Sequence, residues 1–326
     1  MVLLLTRRDD GSSAFVVQWL LYLNKSFKRL NGDTDAVKIV SVDFINDQFI
    51  LREAGKNFNL FDFSSVWYRR RGLSIKNTSV DRELLQNSLF PGNDEFHKKH
   101  LDAEVKELIE FAHHIVEKNS DKKIGSHKTS RVNKFKVLDI ARDSGLMVPK
   151  TFVVNSKKHL EELLKEEKNI ITKAMSQGIY FFTEKRHYYS YTEKITQKEL
   201  DRLPDTFFPS LIQLEILKKY ELRIFYLHGV FYPMAIFSQN SDRTKVDFRK
   251  DTGENKVRYV PAVLPDHIES GLKRVAEELS LDTGSFDMIV DEHNNYIFLE
   301  VNPIGQFSMT SFPCNYYLER KIAELL

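Results

Sequence analysis

The chain has little cysteine, little tryptophan and no long apolar segment. Its 326 residues include 1 cysteine and 2 tryptophans. The lone thiol, Cys314, excludes an internal disulfide and a thiolate metal cluster. No apolar run reaches the roughly 18 residues of a membrane-spanning helix, and no basic segment precedes the first apolar residues, as it would in a signal peptide. These absences predict a protein of the reducing cytoplasm.

The chain also has almost no net charge. It contains 48 Lys and Arg against 46 Asp and Glu, a balance of +2. This balance argues against a dedicated nucleic-acid binder. One basic run, Arg69-Arg70-Arg71, is compatible with a phosphate-seeking patch or with a solvated turn. With 42% hydrophobic and 29% charged residues, the composition is that of an ordinary globular protein.

The order of patterns along the chain predicts an α+β protein with three sections. Strand and helix patterns alternate through an N-terminal α/β section, 1–118, which ends in a long amphipathic helix. The polar stretch 119–133 begins a central section, 119–208. Strongly β-like segments follow two prolines in a last section, 209–326.

The sharpest local signal is near the C-terminus. The segments SFDMIV and YIFLEVN are predicted to form a hairpin across a polar turn. Glu300 and Asn302 are two residues apart and therefore share one face of their strand; Asp287 can lie beside them. Two carboxylates and an amide oxygen suit Mg²⁺. The alternative is an exposed hairpin whose polar residues face water.

Four further charged residues, on predicted strands and at the start of a predicted helix, are candidates for ligand binding. Glu221 and Arg223 share a face of the strand YELRIFYL, and Lys173 lies in the otherwise apolar strand NIITKA. Lys134 opens a helix, whose N-terminus is itself partly positive. A bound phosphate would compensate for this charge, whereas each lysine taken singly also fits a surface residue with a solvated ammonium.

In this order the residues resemble the ATP-grasp superfamily. The resemblance extends from about residue 119 to 312. It includes NKFKVLDIARDSGLMVPKT, IITKAMSQG, QLEIL followed by Glu221 and Arg223, and the 13-residue step from Asp287 to Glu300 followed by E-x-N. It implies an N-terminal pre-ATP-grasp-like domain, a central lid domain and a C-terminal catalytic domain, with ATP and Mg²⁺ as cofactors.

The resemblance also implies individual roles. Asp287, Glu300 and Asn302 are the implied Mg²⁺ ligands, and Arg223 steadies the transferring phosphate. Residues 214–217 are the implied hinge that holds adenine, and Glu221 the acid on the ribose. The full implied nucleotide-binding set is Lys134, Lys173, Ser176, Gln177, Gly178, Leu214, Glu215, Ile216, Leu217 and Glu221.

Three other segments carry a second resemblance. They are SVWYRRRG at 65–72, KVDFRKD at 245–251 and the tail that begins EVNPIGQF. Together they are similar to the graspetide maturases, the microviridin and chryseoviridin type of peptide ligase. This resemblance implies an enzyme that closes rings in a ribosomal precursor peptide made of a leader and a core. In that setting Arg249 clamps the peptide carboxylate, and Asp247 orients Arg249 or accepts a proton. It also gives the basic run a third interpretation, peptide binding.

The predicted reaction joins Glu or Asp side chains to Ser or Thr hydroxyls as esters. The implied assembly is a homodimer without a nucleic-acid or membrane partner. Three alternatives stay open: amide formation by the same kind of enzyme, a ligase that adds glutamate to protein C-termini or small amino acids, and a non-catalytic ATP-binding module.

Overall fold

The computed structural model describes residues 1–34, 37–70, 72–73, 94–167, 169–176, 178, 180–183, 187–189, 192–238 and 257–326. The chain divides into two compact units, one of residues 1–130 with 317–326 and one of residues 131–316. The last ten residues therefore lie with the first unit. The predicted boundary at 208/209 falls inside a strand, Thr206–Leu214.

The first unit is built on a parallel sheet. The elements before residue 130 are β1 (Val2–Thr6), α1 (Ser12–Tyr22), β2 (Phe27–Asn31), β3 (Val37–Asp43), β4 (Gln48–Glu53), β5 (Lys56–Asn59), a 3₁₀ turn (Leu60–Asp62), β6 (Ser65–Tyr68), α2 (Asp94–Asn119) and β7 (Lys122–Ile124). One sheet has the order β2-β1-β6-β7, and all its pairs are parallel. All five residues of β1 are buried, as expected for a strand covered on both faces.

A small antiparallel sheet, β3-β4-β5, completes this part of the unit. Phe49 and Leu51 of β4 pack with Ala112, Ile115 and Val116 of α2 in one core. The apolar stripe predicted for α2 is thus buried at its C-terminal end, whereas Leu108 of the same stripe is 38% exposed.

The second unit contains the two sheets that carry the candidate site. Its elements are α3 (Lys134–Asp143), β8 (Thr151–Ser156), α4 (Lys157–Glu166), β9 (Ile170–Lys173), β10 (Tyr180–Phe182), β11 (His187–Tyr189), β12 (Glu193–Lys194), α5 (Gln197–Arg202), β13 (Thr206–Leu214), β14 (Lys218–Leu227), β15 (Val230–Phe237), β16 (Arg258–Pro261), α6 (Asp266–Glu278), β17 (Thr283–Asp291), β18 (Tyr296–Asn302) and α7 (Ser308–Cys314). A last helix, α8 (Leu318–Leu325), belongs to the first unit.

Two larger sheets and a short ribbon organise these strands. The first sheet has the order β12-β9-β13-β8, and the second the order β16-β15-β14-β17-β18. All described pairs in both sheets are antiparallel. Strands β10 and β11 form a separate antiparallel ribbon. The predicted hairpin of SFDMIV and YIFLEVN is confirmed as β17 and β18.

Alternation along the five-stranded sheet separates a core face from a polar face. Leu222 and Ile224 of β14 and Phe286 and Met288 of β17 pack in the main core of the unit. Helices α3 and α6 cover this face, with buried side chains from both in the same core. Because successive side chains of a strand point to opposite faces, the residues between these apolar ones lie on the other face.

No helix among the described residues is long and apolar enough to cross a bilayer. Cys314 is buried and packs with Met234 and Ile236, and burial raises the pKa of its thiol. Cys314 therefore contributes to the core of the second unit.

Candidate active site

Three charged side chains form a row across three adjacent strands. Arg223 of β14 is the register partner of Asp287 on β17, and Asp287 is the partner of Glu300 on β18. The Arg223 Nη1 atom lies 3.6 Å from Asp287 Oδ1. Two like charges placed directly opposite each other destabilise a sheet, so the carboxylate pair of Asp287 and Glu300 requires nearby positive charge.

Lys134 supplies positive charge on the other side of the pair. Its Nζ atom lies 3.2 Å from Glu300 Oε2 and donates to the backbone oxygen of Ala174, also at 3.2 Å. Lys134 is the first residue of α3, whose N-cap, Asn133, accepts from the backbone N–H of Phe135 and of Lys136. The start of α3, the end of β9 and the end of β18 therefore meet at this ammonium.

A β-bulge sets the direction of Glu300. Asp287 pairs with Glu300 but the next residue, Met288, pairs with Phe298, so Leu299 is an extra residue on β18. Bulges re-aim side chains and are frequent beside active sites. The bulge lets Glu300 lie opposite Asp287 while Phe298 and Val301 both stay in the core.

The third predicted metal ligand, Asn302, follows Glu300 on β18. Its register partner is Ser285, not Asp287. Its Oδ1 atom accepts a hydrogen bond from the backbone N–H of Ile304 at 3.0 Å. This bond holds the amide in place and uses one of the two lone pairs of its oxygen. Among the described residues, no group of three or more His, Cys, Asp or Glu side chains is placed to hold a metal. The candidate set consists of two carboxylates and this amide.

Lys173 and the segment after it are only partly described. Lys173 ends β9, is partly buried and pairs with Leu211 of β13. Ser176 is exposed and Gly178 is partly buried. Gln177 lies outside the described residues, as do Asp247 and Arg249, the two residues predicted to address the peptide carboxylate.

The predicted hinge, 214–217, joins β13 to β14. The backbone N–H of Leu214 bonds to Lys150 and that of Glu215 to Asn169. Ile216 and Leu217, in contrast, make no backbone hydrogen bond to another described residue. Backbone groups without partners are available to a planar ligand that has both donors and acceptors.

The hinge also lines a cavity of about 330 Å³. Its walls include Val148, Pro149 and Lys150 on one side and the β17–β18 turn, 291–293, on another. Lys134, Lys173, Arg223, Asp287 and Glu300 do not line it. The structure therefore brings the row of charges together and places the hinge cavity apart from it.

Glu215 carries a second feature of the hinge. One carboxylate oxygen, Oε1, pairs with the Lys194 ammonium at 2.7 Å. The other, Oε2, is buried and has no hydrogen-bond partner among the described residues. A buried acceptor without a partner costs about 1–3 kcal/mol. A ligand with an N–H donor at the hinge would remove this cost.

Glu221 is held by a buried lysine that sequence reasoning missed. Lys218 has a side chain only 4% exposed and forms an ion pair with Glu221, whose Oε1 also accepts from the Ser238 hydroxyl at 3.3 Å. Residues three apart on a regular strand point to opposite faces, but the register shifts between Lys218 and Tyr220. This bulge places Lys218 beside Glu221. The sequence signal was the Lys-Lys pair that follows the hinge directly.

The turn after Asn302 leaves no room for a side chain at Gly305. A Cβ atom there would meet Ser285 Oγ at 2.2 Å, Ser285 N at 2.6 Å and Gly284 C at 2.8 Å. We expect Gly305→Ala to push the turn away from β17 and to displace Asn302, with a loss of turnover of about a hundredfold, the cost of a 1 Å misplacement. Steady-state kinetics measures the loss.

Ser285→Ala provides the matched control, because Ser285 Oγ is buried and no described residue forms a hydrogen bond with it. The single variant is expected to keep wild-type turnover, and adding it to Gly305→Ala should restore activity in part. Full activity of Gly305→Ala would show that the turn does not position the site.

Comparison with known proteins identifies the fold around this geometry. No family model matches the chain, and no curated protein matches it in sequence. Among solved structures, the chain is similar to the macrocyclase MdnC from Microcystis aeruginosa MRC, bound with its precursor peptide MdnA. The two are 27% identical, with a TM-score of 0.78 and 100% of this chain and 99% of that chain covered.

Two further structures show the same fold at lower identity. The RiPP-associated ATP-grasp ligase of Chryseobacterium gregarium, in complex with ADP and a leader and core peptide, is 23% identical, with a TM-score of 0.77 over 99% of this chain and 94% of that one. The ATP-grasp ligase PsnB, with minimal precursor, Mg and ADP, is 16% identical, with a TM-score of 0.70 over 99% and 95%.

These similarities confirm the fold class and the resemblance that the sequence predicts. The chain has the ATP-grasp fold, and its structural neighbours are ligases that act in ribosomal peptide maturation. The chain is thus similar over its whole length to enzymes that are described as macrocyclases and ATP-grasp ligases.

Proposed function

We propose that this ATP-grasp ligase closes rings in a ribosomal precursor peptide by forming esters between acidic and hydroxyl side chains. The observation that carries the proposal is the row of Arg223, Asp287 and Glu300 with Lys134 at its end. Opposed carboxylates flanked by two cations suit a site that receives a metal and a polyphosphate together.

The donor set fits Mg²⁺. Asp287 and Glu300 are opposed carboxylates that need a cation between them, and the Asn302 amide oxygen keeps a lone pair beyond its bond to Ile304. Oxygen ligands of this kind, with phosphate oxygens completing the shell, are those that Mg²⁺ prefers. The ion would neutralise charge on the transferring phosphoryl group.

Three basic residues address the phosphates. Lys134 and Lys173 lie at the start of α3 and the end of β9, next to each other through the Lys134–Ala174 hydrogen bond. Arg223 is 13% exposed, and its Nε atom is buried without a hydrogen-bond partner in the part of the chain that the structure describes. That free donor supports a role for Arg223 on the γ-phosphate and on the acyl phosphate. Ser176, Gln177 and Gly178 would cover the phosphates, as the resemblance implies.

The hinge and Glu221 hold the nucleoside. Ile216 and Leu217 offer unpaired backbone groups to the adenine edge, with Leu214 and Glu215 beside them, and Glu221 accepts from the ribose hydroxyls. The three predicted sections, 1–118, 119–208 and 209–326, remain our proposal for the functional division of the chain.

The chemistry has two steps. A peptide Glu or Asp oxygen attacks the γ-phosphorus of ATP; the bond to the bridging oxygen breaks, and ADP and an acyl phosphate form. A Ser or Thr hydroxyl then attacks the acyl carbon, the bond from that carbon to the phosphate oxygen breaks, and the hydroxyl proton passes to a base. The peptide loses one water for each ring, while ATP becomes ADP and phosphate.

Ester formation, the roles of Asp247 and Arg249, and a homodimer rest on the resemblance to graspetide maturases. Arg249 would grip the peptide carboxylate with two parallel hydrogen bonds, and Asp247 would orient it or take the hydroxyl proton. Sedimentation of the purified chain tests the dimer, and treatment of the product with hydroxylamine, which cleaves esters and spares amides, tests the linkage.

Lys218 gives a test of the ribose assignment. We expect Lys218→Met to weaken ATP binding about ten- to a hundredfold, because Glu221 loses a charged hydrogen bond worth about 1.5–3 kcal/mol. Dideoxy-ATP, which lacks both ribose hydroxyls, should bind this variant and the wild type alike. Calorimetric titration with both nucleotides measures the difference.

Lys219→Met is the matched control, because Lys219 is exposed and bonds to Asn294. It should bind both nucleotides as the wild type does. Equal losses for ATP and dideoxy-ATP in Lys218→Met would assign Lys218 a purely structural role.

Mass spectrometry of the peptide product separates the proposed function from its alternatives. Incubation with ATP, free glutamate and a precursor peptide should lower the peptide mass by one water per ring. A gain of one glutamate residue would establish the glutamate-adding ligase instead. An unchanged mass without ADP formation would establish the non-catalytic module.

A further inference from the structure

The hinge carries one buried polar atom that the proposed chemistry does not use. Of the described residues that line the hinge cavity, Glu215 alone has a buried side-chain oxygen, Oε2, without a hydrogen-bond partner in the described chain. The cavity volume of about 330 Å³ lies at the lower end of the range for small-molecule sites, roughly 300–1,000 Å³. This size suits a nucleobase better than a whole nucleotide.

The other charged side chains of the cavity wall are already engaged or solvated. Lys150 is 67% exposed and bonds to a carboxylate of the chain at 2.8 Å. Asp291 accepts from backbone N–H groups of its own turn, and Glu292 is exposed. A molecule in the cavity therefore meets one buried carboxylate with an unused acceptor, that of Glu215.

Lys194 holds the other oxygen of Glu215. Its ammonium lies 2.7 Å from Oε1, and the Glu215 side chain is only 11% exposed. Backbone contacts near β9 fix both residues. Lys194 is the register partner of Ile171, and the N–H of Glu215 donates to the backbone oxygen of Asn169 at 2.9 Å. The ion pair therefore sets the direction of the carboxylate before a ligand binds.

We propose that Glu215, held by Lys194, selects a 6-aminopurine nucleotide over a 6-oxopurine nucleotide. An ionised carboxylate only accepts hydrogen bonds. The 6-amino group of adenine carries two hydrogens. One is available to a backbone oxygen of the hinge, and the other needs a second acceptor, which Oε2 supplies. The inference deepens the proposed function, on which the presence of a purine at the hinge rests.

A 6-oxopurine nucleotide, such as inosine triphosphate, presents an oxygen where adenine presents its amine. Two acceptors would then face each other in a buried place, with no hydrogen between them. A site that is built to hydrogen-bond one group of a substrate strongly rejects an analogue without that group. Lys194 acts here as a positioning residue, because it contacts the carboxylate and not the base.

An ion pair that only ties the hinge to β12 is the alternative explanation. Such a pair would contribute little, because Lys194 is 48% exposed and exposed ion pairs add little to stability. It would also leave Oε2 buried without a partner. The two explanations differ in what Glu215→Gln does to the choice of base.

Calorimetric titration of the full chain with ATP and with inosine triphosphate measures this choice as the ratio of the two dissociation constants. In Glu215→Gln the amide oxygen should face the Lys194 ammonium, which only donates, so that the amide N–H₂ group faces the base. ATP should then bind more weakly and inosine triphosphate more tightly. We expect the preference for ATP to fall about a hundredfold, because a charged acceptor is exchanged for a donor.

A double variant tests whether Lys194 sets the orientation of this amide. In Lys194→Met/Glu215→Gln the amide can turn its oxygen to the base, so the preference for ATP should rise again about tenfold, the value of a regained hydrogen bond. Lys194→Met alone should keep the wild-type preference, because a carboxylate accepts with either oxygen. Lys198→Met, at an exposed position of α5, is the matched control and should change neither constant.

Partial unfolding of a variant does not disturb this ratio, because a smaller folded fraction weakens the binding of both nucleotides by the same factor. An unchanged ratio in Glu215→Gln would overturn the proposal, as would the same low ratio in Glu215→Gln and in the double variant. Ring closure by a chain whose ratio does not respond to Glu215 would refute this inference and leave the proposed function standing. A ratio that responds, in a chain that closes no ring, would do the opposite.

Discussion

Glu300→Gln is expected to abolish turnover, with a fall in kcat of about a thousandfold or more. The substitution keeps the shape of the side chain and removes the charge that faces Asp287 and Lys134. Positioned charges around a transferring phosphoryl group act in the transition state, and the loss of one commonly costs about 10²–10³ in kcat. The loss of a metal ligand adds to this cost, because the metal then binds more weakly.

ADP formation with a precursor peptide at saturating ATP measures this effect. The melting temperature should change little, since Glu300 is partly exposed at 35% and lies on the polar face of β18. Glu278→Gln, at the exposed end of α6, is the control and should retain full activity. Native-rate ring closure by Glu300→Gln would refute the metal assignment.

Arg223→Met should be the second most damaging single change. It removes the cation 3.6 Å from Asp287 and the free Nε donor proposed for the acyl phosphate. We expect a loss of about 10²–10³ in kcat and a smaller change in the KM for ATP, because the arginine acts mainly where charge develops. Arg223→Lys should recover part of the rate through its charge but not its paired hydrogen bonds.

Single-turnover measurements separate this loss from product release. Arg142→Met is the matched control, since the described ion pairs of Arg142 are with two exposed acids of its own helix, Asp139 and Asp143. A rise in KM with unchanged kcat for Arg223→Met would place Arg223 in ground-state binding and contradict its proposed role.

The helices and strands that can be predicted from the sequence are those that one local pattern determines. The β17–β18 hairpin has clear alternation on both strands, and α6 has apolar residues at helical spacing, including Ile268, Leu272 and Val275. The strand β2, FKRLN, was missed because its only buried residue is Leu30. The short helix α5 was missed as well, since its six residues bury only Leu200.

Contacts distant in sequence could not be predicted at all. Lys25 Nζ donates to the backbone oxygen of Ala323 at 2.9 Å, and Arg320 lies over the ring of Trp19. These contacts hold the tail, α8, on the first unit, a placement that no local pattern encodes.

The candidate site, like the fold, has a part that local sequence patterns predict and a part that depends on contacts between strands. Strand alternation was enough to place Glu300 and Asn302 on one face and Asp287 beside them, and the structure confirms both. The partners of these residues depend on irregularities: Leu299 is the extra residue that turns Glu300 toward Asp287, and the bulge at Lys219 brings Lys218 to Glu221. A bulge depends on pairing across strands, so the sequence of one strand does not reveal it.

Transfer of a heavy oxygen isotope tests the central claim most directly, that this site activates a peptide carboxylate by phosphorylation. A precursor peptide labelled with the isotope in its Glu and Asp side-chain carboxylates is converted with unlabelled ATP, and the released phosphate is analysed by mass spectrometry. One labelled oxygen should appear in the phosphate for each ring formed. Ring closure with unlabelled phosphate would contradict the account, because the carboxylate oxygen would then never have been bonded to phosphorus.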